Sequence, residues 1–274
     1  MFGYRIIALD LDGTLLTSER AITPQTLDIL IRLQQEGCKV VISTGRPVYG
    51  SAQIADQLHL KEYDGFIMAY NGGVVQNWQT KEIIYSNMLL PEAIVDSYHF
   101  AKADGLSTIC YHDEYLVSDD EMNPYMERTL KRNGLIFKKV NKFLEEVTYP
   151  ISKCMIIGEP VALHKLEERI LASKPTTFTV YRSEPYFLEV VPPHINKAEG
   201  LKVLLQHLSI PASQLIAFGD NFNDIPMIRL AGLGVAMGNA PQEVKDSADL
   251  VAPSNNEDGV ARVLVNVSGW QNDQ

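Results

Sequence analysis

The chain has 274 residues, 46% of them hydrophobic and 21% charged, with a formal net charge of −10. These proportions exclude a disordered or fibrous chain, and the length allows one large domain or two smaller ones. The acidic balance speaks against nucleic acid as the main partner, because phosphate backbones call for a basic face. No apolar run approaches the roughly 18 residues of a membrane span, and the N-terminus lacks the basic and apolar stretches of a secretion signal. Cys38, Cys110 and Cys154 are odd in number and widely spaced. They read as small buried apolar side chains, not a disulfide framework or zinc site, in a soluble, cytoplasmic protein.

Ile6-Ile7-Ala8-Leu9 is a short apolar run that ends in Asp10 and Asp12, the form of a buried strand of a parallel sheet. Alternation along an extended segment would point both carboxylates into one cavity, with Gly13 turning the backbone behind them. Thr23-Pro24 opens a helix with Leu27, Leu30, Ile31 and Leu33 on one face that stops near Gly37. Lys39 to Ile42 is again an apolar strand, ending in Ser43-Thr44-Gly45-Arg46. Strand, helix and strand in this span make a right-handed βαβ unit, which puts Thr44 and Gly45 at the same sheet edge as Asp10. A helix over 48–58, a strand over 65–70, the Asn71-Gly72 turn and a hairpin over 74–85 follow.

Between about 86 and 188 the rhythm changes to helices over 91–103, 122–133 and 160–172, with short strands between them. The βα pattern then resumes, with a helix from Lys197 to Leu208 and a strand over 215–218 that ends in Gly219-Asp220-Asn221-Phe222-Asn223-Asp224. A helix over 225–231, a strand over 234–237, a helix over 240–247, a strand at 250–251 and a helix over 259–267 close it. The expected fold is α/β, a doubly wound Rossmann-like parallel sheet formed by 1–85 and 189–274, with an α+β cap inserted as 86–188.

Three strands therefore end in polar clusters at one edge: Asp10/Asp12, Ser43/Thr44/Gly45 and Gly219/Asp220/Asn223/Asp224. Singly, each aspartate reads as a turn or cap residue. Together they suit phosphoryl transfer, which needs donors and cations around the phosphoryl oxygens. Thr44 and backbone amides supply donors and Lys197 a cation, while Mg²⁺ would take Asp10, Asp220 and the backbone carbonyl of Asp12. One carboxylate can attack phosphorus and the other can move the proton.

Asp10-Leu11-Asp12-Gly13-Thr14, Thr44, Lys197 and Gly219 to Asp224 resemble the four ordered motifs of haloacid dehalogenase superfamily phosphatases. Thr44-Gly45-Arg46-Pro47, Asn71-Gly72 and the GDxxND form of the last motif are similar to the Cof-type subfamily, and the insertion resembles its C2-type (class IIB) cap. The resemblance implies Asp10 as nucleophile and Mg²⁺ ligand, Asp12 as general acid/base and Asp220 as metal ligand. It implies phosphate contacts from Thr44, Gly45, Lys197 and Asn223, with Asp224 supporting the metal site from behind. Lys197 departs from the pattern, being followed by Ala198-Glu199 before Gly200, which puts the helix entry in question. The implied reaction is Mg²⁺-dependent hydrolysis of a small phosphorylated metabolite: a sugar phosphate, nucleotide or cofactor phosphate. A phosphotransferase or phosphomutase sharing the intermediate, and a phosphate sensor without turnover, are the alternatives. His112-Asp113-Glu114 and His194 read as solvated turn and loop residues, and Arg46 as a group that orients the loop after the second strand, meets substrate or pairs with a surface carboxylate. A calcium loop at Asp10 is set aside because the later ligands are missing.

Overall fold

The computed structural model describes residues 3–270, and the chain separates into two compact units. The first unit holds residues up to 46, 51–85 and 196 onward; the second holds 47–50 and 86–195. In chain order the first begins with β1 (Ile6–Leu9), α1 (Pro24–Gln35), β2 (Lys39–Ser43), α2 (Ala52–Gln57), β3 (Phe66–Ala69), β4 (Val74–Asn77) and β5 (Ile83–Ser86). The second carries α3 (Pro91–Ala103), β6 (Ser107–His112), β7 (Tyr115–Ser118), α4 (Pro124–Asn133), β8 (Ile136–Lys139) and α5 (Phe143–Glu146). It continues with β9 (Cys154–Ile157), α6 (Pro160–Ser173), β10 (Thr179–Glu184) and β11 (Phe187–Val191). The first unit resumes with α7 (Lys197–Leu208), β12 (Leu215–Gly219), α8 (Ile225–Leu230), β13 (Leu233–Ala236), α9 (Gln242–Lys245), β14 (Leu250–Val251) and α10 (Gly259–Ser268).

Eight strands of the first unit form one sheet in the order β14-β13-β12-β1-β2-β3-β4-β5. The pairs from β14 to β3 are parallel, and β4 runs antiparallel to β3. β1 is thus the central strand, with β2 on one side and β12 on the other, so chain order reverses at it. Ligand crevices of open α/β sheets form at such a reversal, beyond the carboxyl ends of the strands. All four residues of β1 are inaccessible to solvent, as a strand covered on both faces requires. Ile6 and Ala8 pack with Leu201 and Leu204 of α7 and Met227 of α8.

In α1, Thr23 caps the first turn by accepting from Thr26 N, and Pro24 stands where no amide partner is lost. Its buried stripe is Thr26, Ile29, Leu30 and Leu33; Leu27 and Ile31 flank it, half-buried. The helix expected over 48–58 is a single 3₁₀ turn followed by α2. The one expected over 240–247 shrinks to α9, because Pro241 disfavours helical backbone at Ala240.

The second unit is a six-stranded sheet ordered β10-β11-β9-β6-β7-β8, antiparallel except between β7 and β8. One face is covered by an apolar core of Ala93, Ile94 and Ala101 from α3, Phe143 from α5, and Leu163, Leu166 and Ile170 from α6. Asn123 caps α4 by accepting from Tyr125 N and Met126 N, so that helix starts at Pro124, not at 122. β8 and α5 were not anticipated. Ile136–Lys139 has no clear alternation of polarity, and its strand conformation comes from pairing with β7. The three cysteines are free and buried, as expected. No helix among the described residues is long and apolar enough to cross a membrane.

Gly72 ends the 3₁₀ turn between β3 and β4 with φ of +94°, and an added Cβ would lie 2.3 Å from the carbonyl oxygen of Asn196. Both the conformation and the space demand glycine. Gly72→Ala is expected to cost about 1–3 kcal/mol through strain and overlap, read as a lower thermal unfolding midpoint. An unchanged midpoint would contradict the tight seat of this turn.

Candidate functional site

β1 makes its last ladder contact when Asp10 N donates to the Phe218 carbonyl at 3.0 Å. The chain then turns, with Leu15 N bonded to the Asp10 carbonyl and Leu16 N to the Leu11 carbonyl. Asp12 therefore lies in a turn, and strand alternation does not set its direction. Its carboxylate is exposed and receives Arg46 Nε (2.8 Å) and Nη2 (2.5 Å), a two-pronged ion pair. Asp10 is buried. The two carboxylates thus have different neighbours.

Lys197 opens α7, whose preceding residue Asn196 accepts a cap bond from Glu199 N. Its side chain is wholly buried, and Nζ donates to Asp10 Oδ1 (2.6 Å), Asp224 Oδ1 (2.6 Å) and the Ser43 carbonyl (2.8 Å). A solvated helix-face lysine is ruled out. The unusual Ala198-Glu199-Gly200 sequence leaves this entry intact, because Gly200 lies against Gly72, whose Cα would be 3.0 Å from an added Cβ. The second oxygen of Asp224 accepts from the amides of Asp220 and Asn221, both at 2.9 Å, and so shapes the loop after β12.

Asp220 is held by Thr14, whose hydroxyl donates to Oδ1 at 2.8 Å. Gly13, at φ of +93°, admits this approach, since an added Cβ would stand 2.3 Å from Asp220 Oδ2. Thr44 is buried, its hydroxyl accepting from Arg46 N at 3.1 Å, and its carbonyl accepts from Asn71 N at 2.9 Å. An added Cβ on Gly45 would lie 3.3 Å from Asn71 Oδ1, the atom that also accepts from Asn223 Nδ2 at 3.0 Å. Asn71 thus ties the strand end of β2 to the loop after β12. Asn239, beyond β13, donates to the Gly13 carbonyl at 2.8 Å. The contacts of Thr14 and Asn239 were absent from the sequence analysis. A polar residue beyond a neighbouring parallel strand was the available signal for Asn239. His112 rests against the Tyr149 ring in the second unit, with ring centroids 3.8 Å apart, and His194 is exposed.

Ligand atoms of Asp10, Asp220 and Asp224 all lie within 4.8 Å of one another. The Asp12 carboxylate is not in this set. Burial, with Asp224 and Asp220 nearby, lifts the Asp10 carboxyl well above the ordinary range, against the opposing pull of Lys197. Burial lifts Asp220 to about 6, with Asp224 adding to the rise, while the Thr14 bond and Lys197 oppose it. Burial disfavours the Lys197 ammonium, but Asp10 and Asp224 more than compensate and raise its pKa. Three carboxylates against one ammonium leave the cluster short of positive charge. Hard, charged oxygen donors suit a divalent cation of the Mg²⁺ type, so the residues fit such a group.

Residues 7–264 match the haloacid dehalogenase-like hydrolase family. The chain belongs to that family. It is an enzyme of the family's phosphatase branch, as the motifs at its strand ends implied. The hydrolase is 32% identical over 279 residues to a Bacillus subtilis protein named 5-amino-6-(5-phospho-D-ribitylamino)uracil phosphatase, covering 94% of this chain and 96% of that one. A haloacid dehalogenase-like hydrolase from Bacteroides thetaiotaomicron has a solved structure with a TM-score of 0.93 and 40% identity, covering 96% of this chain and 99% of that one. A solved subclass IIB sugar phosphatase gives a TM-score of 0.81 at 25% identity, over 96% of this hydrolase and 99% of its own chain.

Replacing Lys197 with Met removes the only cation bonded to Asp10 among the described residues and leaves two carboxylates facing each other in the interior. The expected loss is about 3–5 kcal/mol, because a buried partner becomes uncompensated. The sign with pH follows from the raised Asp10 pKa. A folded state that holds its proton more tightly loses stability as pH rises above the unfolded value. The deficit in melting temperature should therefore be smaller at pH 5 than at pH 8. A deficit independent of pH would contradict the charge account.

Proposed function

We propose that this enzyme hydrolyses a small phosphomonoester through an aspartyl-phosphate on Asp10. The observation that carries the reading is the buried Lys197 ammonium, which holds Asp10 Oδ1 and Asp224 Oδ1 together at the carboxyl end of the central strand. Lys197 keeps the Asp10 side chain from rotating, so its other oxygen is the one presented to phosphorus. That oxygen forms a bond to phosphorus while the bond from phosphorus to the leaving oxygen breaks, with the two oxygens in line. Asp12, released from Arg46 and protonated from solvent, gives that proton to the leaving oxygen. It then takes a proton from water as the water oxygen attacks the phosphorus of the aspartyl-phosphate, releasing inorganic phosphate and restoring Asp10. Asp12 must exchange its Arg46 partner for the leaving oxygen in this sequence, so Arg46 acts as a parking place for the carboxylate.

Thr44, Gly45 and Asn223 supply donors around the phosphoryl oxygens from the ends of β2 and β12. Asp10 and Asp220, with the backbone carbonyl of Asp12, would hold Mg²⁺, and Asp224 orients that set through the Asp220 amide. When bound, the cation supplies positive charge to the phosphoryl oxygens. The second unit acts as the cap that selects the leaving group, and the substrate is a small phosphorylated metabolite. The protein works as a soluble, cytoplasmic enzyme.

Phosphate release from a metabolite panel should require Mg²⁺ and disappear with chelator. Asp10→Asn should lower the rate by at least about 10³-fold; release undiminished in this variant would overturn the nucleophile. Asp12→Asn should cost about 10²–10⁴-fold on alkyl phosphates and less on aryl phosphates, whose leaving oxygen needs no proton. An equal loss on both in single-turnover release of the leaving alcohol, which isolates the first step, would remove Asp12 from protonating the leaving oxygen.

Protons compete with the cation for Asp220 and Asp10, so Mg²⁺ should bind more weakly as pH falls below about 6. The rise in melting temperature on adding Mg²⁺ is the measurement. It should be larger at pH 7.5 than at pH 5, and the reverse order would refute the assigned ligands.

A further inference from the structure

Within the first unit, three asparagines from late in the chain hold the turn that carries Asp12. Asn239 follows β13, and Asn255 and Asn256 follow β14. In the sheet order β14-β13-β12-β1, both loops reach past β12 to meet the turn beyond β1. Asn239 Nδ2 donates to the Gly13 carbonyl and Asn255 Nδ2 to the Leu16 carbonyl, each at 2.8 Å. Asn256 accepts from Ser18 N and donates to Ser18 Oγ, both at 2.9 Å, which pins the far end of the turn. The two loops are also joined to each other. Asn255 N donates to Asn239 Oδ1 at 3.1 Å, and Gly238 N donates to the Pro253 carbonyl at 3.3 Å.

These bonds fix the backbone on both sides of Asp12. Leu16 forms an isolated bridge with Asp12, and its amide donates to the Leu11 carbonyl at 2.9 Å. Asn255 thus secures, through Leu16, the peptide that precedes Asp12. On the other side stands Gly13 at φ of +93°, the most permissive link next to Asp12. Asn239 fixes the plane of the peptide that follows it. The residue type suits the place, because an amide donates to a carbonyl without adding charge. A lysine there would compete with Arg46 for Asp12, and an aspartate would repel the carbonyl. Asn239 is exposed while Asn255 is buried, so water competes for the Asn239 bond and its part in stability is small. A role in geometry accounts for that bond more directly.

We infer that Asn239 and Asn255 are positioning residues that brace the Asp12 turn, so that the carboxylate passes from Arg46 to the leaving oxygen by side-chain rotation alone. This deepens the proposed mechanism and rests on it for the part Asp12 takes in proton transfer. A backbone free to move with the side chain would spread the carboxylate over several positions, and a displacement of about 1 Å can cost about 10²-fold in rate.

The test uses the full chain with Mg²⁺, glycerol 1-phosphate and p-nitrophenyl phosphate. Asn239→Ala should slow single-turnover release of glycerol about tenfold or more and release of p-nitrophenol by less. The half-saturating ester concentration and the rise in melting temperature on adding Mg²⁺ should not change. Loss of folded protein alone would lower both rates equally. In the Asp12→Asn background, Asn239→Ala should cost nothing further, since the brace acts through Asp12. Asn255→Ala should follow the same pattern. Independently of turnover, amide hydrogen exchange at Leu16 should quicken about fivefold in either variant, the fold-change of one lost hydrogen bond. Equal losses on the two esters, a full loss retained in the Asp12→Asn background, or unchanged exchange at Leu16 overturns the inference. An Asp12→Asn chain that released glycerol as fast as the unaltered one would refute the proton-transfer reading and the purpose of the brace with it. A slow Asp12→Asn chain beside unchanged asparagine variants refutes the inference alone.

Discussion

One buried ammonium organises the first unit. Lys197 Nζ joins the end of β1 through Asp10, the end of β2 through the Ser43 carbonyl, and the loop after β12 through Asp224. These segments are far apart in the chain and adjacent in the sheet because β1 lies between β2 and β12. Placing a lysine there costs desolvation, which its carboxylate partners and the carbonyl offset. The converse also holds. Without Lys197, Asp10 and Asp224 would be like charges in a low-dielectric pocket, which the interior would neutralise by protonation.

The remaining polar contacts extend from this point. Asp224 uses its second oxygen to fix the amides of Asp220 and Asn221, and Thr14 fixes Asp220 from the β1 side. Glycine at 13 lets that loop approach Asp220 more closely than any side chain would allow. Asp12 belongs to a different balance, since its carboxylate is exposed and paired with Arg46. Two aspartates separated by one residue thus hold contrasting environments, one dry and lysine-bound, the other wet and arginine-bound. Such a contrast in environment suits the different roles proposed above for the two carboxylates.

Much of this was legible beforehand because parallel strands advertise themselves. β1, β2 and β12 are continuous apolar runs that end abruptly in polar residues, and the rule that crossovers are right-handed places those ends together. Elements supported by caps were also readable, such as α1 behind Thr23-Pro24. β8 was not, because its strand conformation depends on β7 and its own residues show no period. Strand alternation was the wrong ground for the direction of the Asp12 side chain, since β1 stops at Leu9 and a turn takes over.

By itself the sequence determined the type of fold, the order of the polar strand ends and the family of the enzyme, because these reside in local apolar runs and short motifs. Tertiary structure decided which donor meets which acceptor. It converted Lys197, by composition a surface residue, into the most buried cation of the site. It paired Asp12 with Arg46 and set Lys153 against Glu189 across neighbouring strands. Those pairings depend on strand register and turn geometry across many intervening residues, and no local pattern encodes them.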